Sequence, residues 1–238
     1  MNSLKVYNVY LHIVLSINDF TVSSLVTPYL MMPIIGGVPH GLFTLLGVPP
    51  GFQFYFLVLI VAESGLAIVS VFENRHSCVV RSGFSLRSTS SKFLYYGSHH
   101  VACCLFSLPF FISLPDQVHA KLNALKIVPC PSEKFFSNDM FIICEDTVKP
   151  ALVLIFATLL IIIEALFFIL HSLGSLTFFK SSEMFSEATK KLQKKFFVSA
   201  ILQVSIPILL CATPIFYLVS CMFDQYYNQG IFDSFITS

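Results

Sequence analysis

Three acidic residues lie inside long apolar stretches of this 238-residue sequence, namely Asp19, Glu63 and Glu164. A carboxylate in such a stretch is costly unless it is paired, protonated or placed beside a polar cavity. Such groups can bind an ion or a small ligand, can carry a proton, or can simply hold neighbouring helices together through hydrogen bonds. The residue types alone leave these three interpretations open.

Polar and small residues recur around these carboxylates at the spacing of one helix face. The stripes are His12, Ser16, Asp19 and Ser23; Glu63, Ala67, Ser70 and Asn74; Glu164, His171 and Ser175; and Ser199, Gln203, Pro207, Cys211 and Pro214. We expect these faces to turn inward, where close packing and interhelical hydrogen bonds are available. If a ligand binds there, the candidate ligand-binding residues are Glu63, Glu164 and Gln203.

Two prolines interrupt the last apolar stretch. Pro207 removes the backbone bond that the carbonyl of Gln203 would accept, and Pro214 does the same for Leu210. Membrane helices tolerate such bends because neighbouring groups satisfy the freed backbone. We therefore predict a bend there, which is either a static kink or a hinge.

The composition places these helices in a membrane. Hydrophobic residues make up 55% of the chain and charged residues 11%, and the mean hydropathy is +0.79, whereas soluble domains carry about 25% charged residues. Five segments approach the roughly 20 apolar residues that a span needs, at about 10–32, 52–72, 93–114, 151–178 and 197–222. The predicted fold is all-α, a polytopic transmembrane helix bundle in a single domain, 1–238.

Lys and Arg residues in the connecting segments predict the orientation. They are denser in 73–92 and 180–195 than in the long segment 115–149, so the first two face the cytoplasm, with the N-terminus inside and the C-terminus outside. Membrane lipid is the expected surrounding. No basic domain indicates a nucleic-acid partner. The sequence has no metal-ligand spacing, cofactor motif or catalytic motif, so we expect no metal, no cofactor and no enzymatic activity.

Cys130 and Cys144 lie in the same predicted outside segment, 14 residues apart. That compartment permits disulfide bonds, and we predict that these two cysteines pair. Closing such a loop adds about 3 kcal/mol of stability in the chain-entropy description.

More specific patterns flank the second and last spans. The second ends in Phe-Glu-Asn-Arg-His at 72–76, and the last combines Leu-Gln-Lys-Lys-Phe at 192–196 with Gln-Val-Ser-Ile-Pro at 203–207. The first loop adds Pro-Tyr-Leu at 28–30, Gly-Gly at 36–37 and Gly-Leu-Phe at 41–43. Together these patterns resemble the nematode serpentine receptors of class H, and the similarity covers nearly the whole chain.

The resemblance implies a G-protein-coupled chemosensory receptor with a small-molecule ligand and a heterotrimeric G-protein partner. It also implies a place in the plasma or ciliary membrane of sensory neurons. The five spans resemble helices 2–6 of such receptors, so we expect a truncated chain without helices 1 and 7 that does not necessarily signal. A small transporter or channel subunit, using the intramembrane carboxylates, is the alternative.

The resemblance also assigns a surface on the cytoplasmic side. The G-protein-facing candidates are Glu73, Asn74, Arg75, His76, Lys194 and Lys195. A Glu73–Arg75 ion pair would hold a resting state, although Arg75 is equally interpreted as a topology anchor. Lys194 and Lys195 would meet a G protein or anionic lipid, or are the ordinary positive flank of a helix.

Overall fold

The computed structural model describes residues 2–31, 33–80, 86, 88–128, 131–146, 148–177 and 186–224, and 78% of the structure is helical. The helices are α1 (Asn2–Phe20), α2 (Leu42–Leu45), α3 (Pro50–Val79), α4 (Thr89–Ile112), α5 (Gln117–Ile127), α6 (Val148–Thr177) and α7 (Glu187–Asp224). A π-helical segment, Thr21–Val26, extends α1, and a 3-10 turn spans Glu133–Phe136. The strands are β1 (Pro28–Leu30), β2 (Ile35–Pro39) and β3 (Phe141–Cys144).

Helices of membrane-spanning length carry most of the described chain. Those that are both long and apolar enough to cross a membrane run over Val6–Val26, Pro50–Val79 and Val148–Leu176. The predicted span 197–222 falls within α7, and the predicted span 93–114 overlaps α4 and ends two residues beyond it. Both are long helices but do not meet the same criterion over their described residues. A helical membrane bundle is therefore supported, whereas the count of five spans stays a prediction.

The first helical segment ends earlier than predicted. Helical structure stops at Val26, because Thr27 has a left-handed φ of 43° and Pro28 follows it. A proline has no backbone N–H and disfavours the helical conformation of the residue before it. The end of the predicted 10–32 segment accordingly forms β1.

The polar stripe of α1 lies on a different face from the one we expected. Leu11 and Val14 are buried, whereas His12, Ser16 and Asp19 are exposed. The buried face is the apolar one, because Leu11 and Val14 belong to a hydrophobic cluster with residues of α3 and α6.

The chain forms two compact units. The first comprises residues 1–16, 62–103 and 157–209. Its core joins apolar residues of α1, α3, α6 and α7, with Tyr95 of α4 at the border. Gly65 of α3 allows close packing on α6, because an added Cβ would lie 2.6 Å from Cδ1 of Ile161.

The second unit comprises residues 17–61, 104–156 and 210–238. It contains an antiparallel sheet in the order β1-β2-β3, which we did not predict. Gly37 lets β1 and β2 approach, since an added Cβ would lie 2.3 Å from the carbonyl oxygen of Tyr29. The side chains of Val38, Ile142, Ala120 and Phe135 help form the core between the sheet and α5.

A glutamine side chain covers the outer edge of this sheet. The amide of Gln117 accepts a bond from the N–H of Ile142 at 2.9 Å and donates to the carbonyl of Ile142 at 3.0 Å. It therefore satisfies the main-chain groups that an uncovered edge strand would leave unpaired.

Candidate functional site

Helix α4 carries polar residues in two neighbouring columns along its surface, and successive residues of each column are four apart in the sequence. Lys92, Tyr96 and His100 form the column that contacts carboxylates of α3, and Tyr95 and His99 form the column that contacts a carboxylate of α6. The spacing follows from the helix, because residues four apart lie on the same face and adjacent residues do not. One helix thus supplies partners for acidic residues on two others within the first unit.

Glu73 is the most completely enclosed of these acids. Its side chain has 0% exposure, and its carboxylate accepts bonds from the hydroxyls of Tyr96 at 2.6 Å and of Ser77. The ammonium of Lys92 lies 3.5 Å away and also sits 5.3 Å from the ring centre of Tyr7. A buried charge is tolerated when it is both paired and hydrogen-bonded, and Glu73 meets both conditions.

The ion pair that we expected between Glu73 and Arg75 is not formed. Residues two apart on a helix point to different sides. The guanidinium of Arg75 instead lies 5.5 Å from the ring centre of Phe196, and its Nε has no hydrogen-bond partner. The partner of Glu73 is therefore Lys92 of α4.

The predicted G-protein-facing residues of α3 lie in the interior of the first unit. Glu73 and His76 have 0% exposure, Asn74 has 3% and Arg75 has 8%. In this conformation they are packed among helices rather than presented to solvent.

Glu164 of α6 is held by a tyrosine and a histidine. The hydroxyl of Tyr95 donates to Oε1 of Glu164, and Nε2 of His99 lies 3.3 Å from Oε2. The other ring nitrogen of His99, Nδ1, lies 2.8 Å from the carbonyl oxygen of Tyr95 and must carry a proton to bond to it.

Glu63 of α3 is paired with the neighbouring histidine. Nδ1 of His100 lies 2.7 Å from its carboxylate, and the side chains are 46% and 18% exposed. Glu164 is 26% exposed and His99 34%. Both acid–histidine pairs are therefore accessible from outside the protein, unlike Glu73.

A contact between two histidines joins α3 to α6. Nε2 of His76 lies 2.8 Å from Nδ1 of His171, and the two ring centres are 5.0 Å apart. The ring of Phe168 packs on His76 at 5.2 Å. Among the described residues no group of three or more His, Cys, Asp or Glu could hold a metal ion.

The start of α7 is basic and exposed. Lys194 and Lys195 are exposed, and Lys194 lines an open cavity of about 620 Å³ with Lys191, among others. The carboxylate of Glu187 accepts a bond of 2.7 Å from Lys190, which lowers the pKa of Glu187.

For the remaining predicted site residues of α7, only the backbone is described. Gln203, Pro207 and Pro214 lie within the continuous helix Glu187–Asp224. The ligand role of Gln203 and the hinge at the two prolines stay predictions.

The predicted disulfide is also untested. Cys144 ends β3 and Cys130 lies outside the described residues, so the pairing stays a prediction. Elsewhere in the second unit, burial and the charge of Lys134 lower the pKa of His40. A hydrogen bond from Lys149 lowers the pKa of Asp146.

The sequence pointed to the acids of this site but not to their partners. Glu63 and Glu164 are isolated charges in apolar stretches, whereas Tyr95, His99 and His100 are not linked to them by any local sequence pattern. The signal was present in the spacing of residues 92, 95, 96, 99 and 100, which marks two adjacent columns of one helix.

Together, the apolar helices and the charges paired between them define a multi-pass helical membrane protein. The family that matches is described as the serpentine type 7TM GPCR chemoreceptor Srh, over residues 1–237. The chain belongs to this family, which is a family of receptors and not of enzymes.

One relative illustrates the extent of the similarity. Serpentine receptor class H-72 of Caenorhabditis elegans is 25% identical over 209 residues, which cover 87% of this chain and 60% of that protein. The chain therefore spans about 60% of the length of the curated relative that it matches. No solved structure matches it.

Proposed function

We propose that this chain acts as a G-protein-coupled chemosensory receptor in which α4 links a small-molecule site to the cytoplasmic side. The observation that carries the proposal is that α4 provides the partners of Glu63, Glu73 and Glu164. A receptor needs a structural element that exists in two arrangements, so that a ligand which binds one of them more tightly shifts the equilibrium toward it. Ion pairs and hydrogen bonds between helices suit such an element, because they can break in one arrangement and form with other partners in the second.

The ligand end of this arrangement consists of the two accessible acid–histidine pairs. A polar small molecule that bonds to Glu63 or Glu164 would compete with His100 or His99 for the same carboxylate. Release of either histidine removes a contact that fixes α4. Gln203 of α7 remains a candidate third contact.

The cytoplasmic end consists of the enclosed Glu73–Lys92 pair. Because Glu73 and Arg75 are buried in this conformation, we assign it to the resting state. Separation of Lys92 from Glu73 would allow α4 to move, and exposure of Arg75 would further require that its contact with Phe196 of α7 is released. Lys194 and Lys195 are already exposed and provide the initial basic surface for a G protein, in the plasma or ciliary membrane of a sensory neuron.

The test measures basal signalling, because the ligand is not identified. The substitution Glu73→Gln removes the attraction to Lys92 and should raise basal nucleotide exchange on a co-reconstituted heterotrimeric G protein about fivefold, which corresponds to about 1 kcal/mol. Lys92→Gln should do the same. Glu145→Gln is the matched control, because Glu145 is exposed and bonds only to Asn123 among the contacts described.

Two results would contradict the proposal. Equal exchange rates in all variants at equal protein levels would show that the Glu73–Lys92 pair does not hold a resting state, and rates no higher than those of the G protein alone would identify a non-signalling chain. Ion flux in proteoliposomes that is lost on Glu63→Gln or Glu164→Gln would instead favour a transporter or channel.

A further inference from the structure

The turn that precedes α3 exposes large apolar side chains. Leu45 is 81% exposed, Leu46 is 76% exposed and Leu42 is 47% exposed. No Asp, Glu, Lys or Arg occurs between Phe20 and Ala62. Neighbouring leucines that are exposed without any accompanying charge mark an interaction surface rather than a solvated loop.

The backbone of this turn satisfies its own hydrogen bonds. The N–H groups of residues 44 to 48 each donate to a carbonyl oxygen of residues 41 to 44, at distances from 2.9 to 3.4 Å. The next two residues, Pro49 and Pro50, have no N–H to satisfy. From residue 44 to residue 50, every backbone N–H is therefore either bonded or absent, which lowers the cost of removing this part of the turn from water.

Side chains hold the turn in one shape. The buried amide of Gln53 donates to the carbonyl of Val48 at 2.8 Å and to the hydroxyl of Thr44 at 3.2 Å. The rings of Phe43 and Phe56 pack edge to face with centres 5.7 Å apart. The two exposed leucines are therefore presented on a fixed base.

The surface continues into the apolar exterior of α3, where Phe52 is 56% exposed and Val58 is 43% exposed. With its 30 residues, α3 is about 45 Å long at 1.5 Å per residue, whereas the hydrocarbon core is about 30 Å thick. The helix is thus long enough for its first turn to reach the lipid headgroups, and the bond between Gln53 and Thr44 would then keep the α2 turn at the same depth.

We propose that residues 41–48 insert into the membrane interface, with Leu45 and Leu46 among the upper acyl chains. The leaflet is the one at the N-terminal end of α3, which is the outer leaflet in the predicted orientation. Lipid is the occupant because the turn is uncharged, internally hydrogen-bonded and continuous with the apolar surface of a spanning helix.

The chain contains no tryptophan, so a single introduced one reports its surroundings without interference. Leu45→Trp, in the full chain reconstituted into phosphatidylcholine vesicles, should show blue-shifted emission. Lipids brominated near the glycerol end of the acyl chain should quench it several-fold more than they quench Phe136→Trp. Phe136 is the matched control, because it is 67% exposed in the same unit but lies beside the charged residues Glu133 and Lys134.

A second tryptophan substitution, at the neighbouring leucine, ensures that the result does not depend on a single variant. Leu46→Trp should give the same result, and circular dichroism should show an unchanged helix content for all three variants. Quenching of both Leu45→Trp and Leu46→Trp no greater than that of Phe136→Trp would overturn the proposal, because the turn would then be in water.

Discussion

At Glu73, a carboxylate with no exposed surface has its charge balanced by an ammonium and its oxygens bonded to hydroxyls. Two of its partners, Lys92 and Tyr96, come from another helix, so the group fixes α3 against α4. Removing one member of such a buried set leaves the others unsatisfied, which costs more than the net value of the contact. Lys92 is 23% exposed, so water screens part of this effect.

The Glu73–Lys92 contact is tested by a double-mutant cycle. Glu73→Gln should lower the free energy of unfolding by about 1–3 kcal/mol, because the ammonium of Lys92 loses its partner. The combined variant with Lys92→Gln should lose less than the sum of the single variants, with a coupling of about 0.5–3 kcal/mol. Unfolding is followed by helical circular dichroism in detergent.

The same cycle with Glu73→Gln and Lys190→Gln is the control. Lys190 pairs with the fully exposed Glu187 and makes no contact with Glu73 among those described. If the cycle with Lys92 were as additive as this one, the ion pair would have no energetic role.

The acidic residues of the site could be predicted from the sequence, but the residues that pair with them could not. A carboxylate in an apolar stretch is visible in the sequence because the apolar residues around it along the chain are enough to show that it needs a partner. The partner of Glu73 is not visible in this way, since it depends on how α4 is rotated. We expected Arg75, which is close in sequence but lies on another side of the helix.

The helices were predictable because length and apolarity are local properties, and the sheet was not. Its first two strands lie in a segment rich in glycine and proline, and the third pairs with Ile35 from more than a hundred residues along the chain. Strands of three to five residues give little periodic signal of their own. Tertiary pairing decides their structure.

The Gln117 side chain is expected to stabilise this sheet. Gln117→Leu keeps a similar volume but leaves the N–H and the carbonyl of Ile142 without these partners, which should cost about 1–3 kcal/mol. Hydrogen exchange of the Ile142 amide should accelerate accordingly.

Asn123→Leu is the control for this substitution, because Asn123 lies on the same helix and bonds at the exposed surface to Glu145. Its effect on exchange at Ile142 should be small. Equal acceleration in both variants would mean that α5 as a whole, and not the amide of Gln117, protects the strand.

Across the whole molecule, the distribution of basic residues predicts which side faces the cytoplasm. An epitope inserted after Phe136 should be labelled by antibody on intact cells. An epitope inserted after Ser186, at the start of the basic helix α7, should be labelled only after permeabilisation.

The reverse labelling pattern would invert the topology and would place the Glu73–Lys92 pair on the outside. Labelling of both epitopes on intact cells would mean that the chain does not cross the membrane an odd number of times between them.

The two columns of α4 also determine what a change in chain length would do. Each added residue turns a helix by about 100°, and His99 and His100 are separated by one such step. A single-residue insertion before Tyr95 would therefore carry Tyr95 and His99 away from Glu164 and into the positions beside Glu73 and Glu63 that Tyr96 and His100 now occupy. Such an insertion, with every side chain retained, should therefore remove the contacts to Glu164 while still providing a tyrosine and a histidine for the acids of α3.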